Sequence, residues 1–71
     1  MNTSIQDVSS RAQNALKTSS LFALRMLTVQ ETKDGLLITG RVSSFYQKQQ
    51  AQEVVRAVAA GTHVTNQIEV S

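Results

Sequence analysis

Residues 34–42, Asp-Gly-Leu-Leu-Ile-Thr-Gly-Arg-Val, constrain the fold more than any other stretch of the chain. The Asp34-Gly35 pair, closing the turn-forming run Thr32-Lys33-Asp34-Gly35, supplies the positive φ that a tight hairpin needs. Immediately after it, Leu36, Ile38, Gly40 and Val42 share one face of a strand while Leu37, Thr39 and Arg41 share the other. A strand that leaves a hairpin turn requires a partner before it, and an apolar strand face requires a covering layer. Gly40, lying on the apolar face, predicts a place where a helix approaches the sheet too closely for any side chain.

The preceding segment supplies the partner. Arg25 to Glu31 reads as a strand, because Thr28 and Val29 favour extended backbone and Leu27, Val29 and Glu31 alternate with Met26, Thr28 and Gln30. Leu21 to Leu24 is then a loop or turn packed down on the core. Two helices supply the cover. In the first, from about Ile5 to Lys17, Ile5, Val8, Ala12, Ala15 and Leu16 form one apolar stripe. Thr3 with Gln6, or Ser4 with Asp7, offers a capping box at its start, and Thr18-Ser19-Ser20 ends it. The second is capped by Ser43 or Ser44, with Ser44 and Gln47 in capping-box register, and buries Ala51, Val54, Val55 and Val58. Gly61 is placed to end it through a left-handed C-cap. His63 to Val70 alternates once more and forms the last strand.

The expected fold is therefore α+β, in the order αββαβ, with two helices packed on one face of a three-stranded mixed sheet. A right-handed crossover makes the third strand parallel to the second. At 71 residues the chain buries only about 60% of its unfolded surface, so residues 1–71 form a single domain. With no cysteine it has no disulfide, no thiolate nucleophile and no Cys-type zinc site, and its stability rests on the core or on self-association.

The residue pattern argues against chemistry. His63 is the sole histidine, and no second ligand or spaced carboxylate pair accompanies it. The acids Asp7, Glu31, Asp34, Glu53 and Glu69 share no spacing, and no serine sits in a Gly-x-Ser-x-Gly elbow. Glycines 35, 40 and 61 stand too far apart for a phosphate loop or for a Gly-x-x-Gly nucleic-acid clamp. The seven basic residues are spread along the chain for a net charge of +2, and three aromatics give no stacking platform. The sequence thus predicts no catalytic residue, no metal ligand, no cofactor and no nucleic-acid partner. No stretch approaches the roughly 20 apolar residues that span a bilayer. Met1 to Asp7 lacks the charged and apolar regions of a secretory signal, so the product is expected in the cytosol, or in the cell envelope if it is a piece of an exported protein.

The string Asp34-Gly35-Leu36-Leu37-Ile38-Thr39-Gly40-Arg41-Val42, a helix rich in Ala and Val, and Gly61 followed by Val64-Thr65-Asn66-Gln67-Ile68-Glu69-Val70 resemble the BON domain family over almost the whole chain. Gly35, Gly40, Val42, Gly61, Val64, Asn66, Ile68 and Val70 fit the family pattern, with the intervals Gly35 to Gly40 and Gly61 to Val64 each one residue tighter than usual. The resemblance implies a non-catalytic module that binds phospholipid, usually in the bacterial envelope, or a protein partner within an assembly.

The candidate partner face follows from the residues left outside the core. On the outward sheet face Met26, Leu37 and Arg41 stand out from threonine and glutamine neighbours. At the start of the second helix, one of Phe45 and Tyr46 is expected to staple the helix to the core, and the other, with Lys48, suits a headgroup boundary. The alternative function is a structural subunit, a homo-oligomer or ring component that pairs through the open sheet face or the edge of the third strand.

Overall fold

A computed structural model of the chain describes residues 8–71. The elements are α1 (Val8–Lys17), α2 (Phe22–Arg25), β1 (Thr28–Thr32), β2 (Gly35–Thr39), β3 (Arg41–Val42), α3 (Phe45–Val58), β4 (Val64–Asn66) and β5 (Glu69–Val70). Ile5 and both capping boxes expected at residues 3–7 lie outside the described residues.

Burial of Ala12 and Leu16 follows the stripe that makes α1 a helix. The helix stops where expected: the Thr18 N–H and hydroxyl both donate to the Asn14 carbonyl, and Ser19 Oγ accepts from the Leu21 N–H. The next segment departs from expectation. Leu21 to Leu24, expected as a loop or turn packed on the core, leads into one turn of helix, with bonds from Leu24 N–H to Leu21 O and from Leu27 N–H to Leu24 O. This turn drops Leu24 and Leu27 into the core, and it delays the first strand from Arg25 to Thr28.

β1 and β2 pair antiparallel from Thr28 opposite Thr39 to Thr32 opposite Gly35, and β2 pairs parallel with β4, giving the sheet order β1-β2-β4. β3 and β5 pair parallel as a short extension. The two parallel pairings share one offset, Leu36 opposite Val64 and Arg41 opposite Glu69. Their bonds also run through without a break: Leu36 N–H to His63 O, Gln67 N–H to Ile38 O, Glu69 N–H to Gly40 O and Ser71 N–H to Val42 O. The second and last strands are thus each interrupted near residues 40 and 67–68, yet they keep a single register.

Both helices cover one sheet face. Ala12 and Leu16 of α1, and Ala51 and Val55 of α3, close over Val29, Leu36 and Ile38, with Val42 and Ile68 beneath the α3 start. Each large side chain buried there contributes about 1.5–3 kcal/mol. Asn66 also faces the helices. Its Nδ2 donates to the Lys48 carbonyl at 3.1 Å and to Gln52 Oε1 at 3.2 Å, and its Oδ1 accepts from the Ile68 N–H, so a polar side chain ties α3 to the sheet with every atom used.

Three glycine expectations change in detail. Gly35 takes φ +145°, but Lys33 and Asp34 keep negative φ and the turn is held by Thr32 Oγ1, which accepts from the Asp34 N–H. A Cβ on Gly35 would collide with the His63 carbonyl oxygen, so this glycine admits the parallel neighbour as well as the turn. At Gly40 (φ +133°) a Cβ would stand 2.6 Å from Leu27 Cδ2. What crowds this position is therefore the leucine leading into β1, not a helix, and the Gly40 backbone itself is exposed. Gly61 (φ +86°) lies two residues beyond the C-cap Ala59, in a turn closed by the Thr62 N–H on the Ala59 carbonyl, where a type II turn needs glycine.

Candidate functional site

The end of the molecule where α1 passes into α2 and α3 begins gathers the surface that the core does not use. Ser44 caps α3 by accepting from the Gln47 N–H at 3.2 Å, while Gln47 Oε1 reaches back to the Ser43 N–H and hydroxyl, one residue earlier than a capping box requires. With the cap made by polar groups, neither neighbouring ring is drawn inward. Phe45 is 75% exposed and Tyr46 64%, so the expectation that one of them staples the helix to the core does not hold.

On α2 the same economy operates. Leu24 is buried, which turns Phe22 and Met26, four residues apart on the opposite side, into solvent at 69% and 67% exposure. Together with Phe45 and Tyr46 they are the large apolar side chains left exposed among the described residues. Phe22, Ala23, Met26 and Val42 line a mostly apolar groove of about 350 Å³ whose rim is Arg41, Ser43 and Gln47. Arg25 is held beside it: its Nε–H donates to the Ser19 carbonyl at 2.8 Å and its guanidinium lies 5.8 Å from the Phe22 ring centroid.

Among the described residues, Lys17, Arg25, Arg41 and Lys48 stand at this end with the acid Glu69, while Glu31, Lys33 and Asp34 lie at the hairpin end. Arg41 and Glu69 form an ion pair at 3.3 Å, both side chains being about 70% exposed, a geometry that contributes little to stability.

Of the residues singled out in the sequence, Met26 and Arg41 line one groove, and Phe45, Tyr46 and Lys48 sit on the first turn of α3 beside it. Leu37 does not join them. It is half-buried in the middle of the open sheet face, between Gln30 and Thr65. Phe22 and Arg25 were not anticipated. The spacing of Leu21, Leu24 and Leu27, which suits one side of a helix, carries the signal, since a stripe turned inward at those positions places Phe22 and Met26 outside. His63, exposed, borders open depressions, one shared with Glu31, Asp34 and Gly35 at the hairpin end and others with Arg56 and Thr62, and among the described residues no three His, Cys, Asp or Glu side chains are grouped to hold a metal ion. Among the described residues no helix is long and apolar enough to cross a membrane.

A family model described as BON domain matches residues 4–71 of this chain. No curated protein and no solved structure gives a significant match.

Proposed function

Because the chain belongs to the BON domain family, one associated with phospholipid and membrane binding, we propose that it docks on an anionic membrane surface through the end formed by α2 and the start of α3. The observation that carries this reading is the clustering of Phe22, Met26, Phe45 and Tyr46, each more than 60% exposed, among Lys17, Arg25, Arg41 and Lys48. Apolar and aromatic side chains at the headgroup boundary gain from leaving water, and basic groups around them gain from the negative surface. The positive end of the α3 dipole opens on the same side. Arg25, braced by Phe22 and the Ser19 carbonyl, meets a headgroup with less ordering to lose than a free arginine.

Co-sedimentation with anionic and neutral vesicles tests the proposal. Binding is expected to anionic vesicles and to weaken in Arg41→Glu and Lys48→Glu, each by about fivefold or more, given about 1 kcal/mol per basic group near such a surface. Binding unchanged in both variants removes the proposed face. A chain that ignores every vesicle but gains mass with concentration favours the self-assembling subunit instead.

A further inference from the structure

The sheet has two free edges, and a side-chain carboxamide occupies each. On the β4 side, Gln67 and Glu69 direct their N–H groups at the neighbouring strand, so the Ile68 N–H points outward, and Asn66 Oδ1 takes it at 3.1 Å. On the β1 side the device comes from a helix. Gln13 of α1 donates from Nε2 to the Leu27 carbonyl at 2.9 Å and accepts at Oε1 from the Val29 N–H at 2.8 Å. A carboxamide presents one donor and one acceptor in a plane, as a peptide unit does, so Gln13 completes the β1 edge as a neighbouring strand would.

Other protection on that edge is slight. Thr28–Thr32 contains no proline and no lysine, and its register with β2 runs without a bulge. Because Thr28, Gln30 and Thr32 turn their backbone groups toward β2, the outward groups belong to Leu27, Val29 and Glu31. This set is self-complementary. Two antiparallel copies with Val29 facing Val29 exchange a pair of bonds there, and Leu27 of each meets Glu31 of the other, with no like charges opposed.

We propose that the β1 edge is a latent pairing surface for a second copy of this chain, and that Gln13 holds it shut. The idea is independent of membrane docking, since it uses Gln13 and the Leu27–Glu31 edge and none of the side chains assigned to the docking end. While Gln13 is bonded, a second strand gains nothing from the Leu27 carbonyl or the Val29 N–H; once it is removed, these two orphaned groups become a template that joins two three-stranded sheets into one of six strands.

The test is the mass of the full chain across dilution, by analytical ultracentrifugation, together with amide exchange at Val29. Wild type is expected to be monomeric through this edge, with a slowly exchanging Val29 N–H. Gln13→Ala is expected to approach twice the monomer mass as concentration rises, and to exchange Val29 about tenfold faster when diluted to monomer. Glu31→Pro removes only an outward N–H, which an edge strand tolerates, so Gln13→Ala/Glu31→Pro should return to a monomer. A folded Gln13→Ala that stays monomeric at every concentration overturns the proposal, as does a dimer that survives Glu31→Pro. If Gln13→Ala does not fold, exchange in wild type decides: a Val29 N–H as fast as one in an exposed loop also overturns it.

Discussion

The hairpin end and the α2–α3 end of this domain are built from opposite materials. At the hairpin, backbone meets backbone: Gly35 lies against the His63 carbonyl, Leu36 N–H bonds that same oxygen, and Thr32 Oγ1 holds the two-residue turn. Its charged groups, Glu31, Lys33 and Asp34, are in water. At the other end the backbone is capped by Ser44, Gln47 and Ser19, and four large apolar side chains are left outside with no structural duty. A 71-residue chain has little apolar surface to spare, so the exposure of those four is what supports the proposed contact at this end, while the crowded end serves the fold.

Substitution should separate the two ends. Gly35→Ala carries the largest expected effect, a loss of about 3 kcal/mol in chemical denaturation, because strain at φ +145° adds to overlap with a backbone oxygen that cannot swing aside. Gly61→Ala, at φ +86° with open space around it, should cost only about 1 kcal/mol by the same measurement. Equal losses at the two positions would show that backbone conformation alone, and not the approach of the parallel strand, governs the hairpin end. Smallest of all, Phe22→Ser should leave stability within about 0.5 kcal/mol of wild type while lowering vesicle binding. A large stability loss there would return Phe22 to the core and erase the contrast.

The order of elements and the sharing of faces were legible in the sequence because they rest on periodicity. Leu36, Ile38 and Val42 are buried on one side of their strands, and Ala12, Leu16, Ala51 and Val55 close over them. Parallel pairing of the second and last strands followed from the crossover rule and is what the register shows. Less legible were features decided by a single distant contact. The neighbour of Gly40 is Leu27, fixed by hairpin register rather than by any helix. The turn at Phe22–Arg25 escaped because four residues carry too little periodicity to distinguish a helix from a strand's beginning. Within the candidate face, Met26, Arg41, Phe45, Tyr46 and Lys48 were reached through residue type, but Phe22 and Arg25 depended on that missed turn, and Leu37 was drawn in by strand alternation that says nothing of distance along the strand. Gln13 gave no signal at all, since a glutamine on an amphipathic helix is ordinary until its partners are known.

Membrane docking through the α2–α3 end is tested most directly by where the protein touches lipid. Single tryptophans placed by Phe22→Trp, Phe45→Trp and Lys33→Trp, in a chain with no native tryptophan, report each end by emission on mixing with anionic vesicles. The expected result is a blue shift at positions 22 and 45, quenched by lipid-borne quenchers, with position 33 unchanged. A shift at position 33 with none at 22 or 45 would contradict the account.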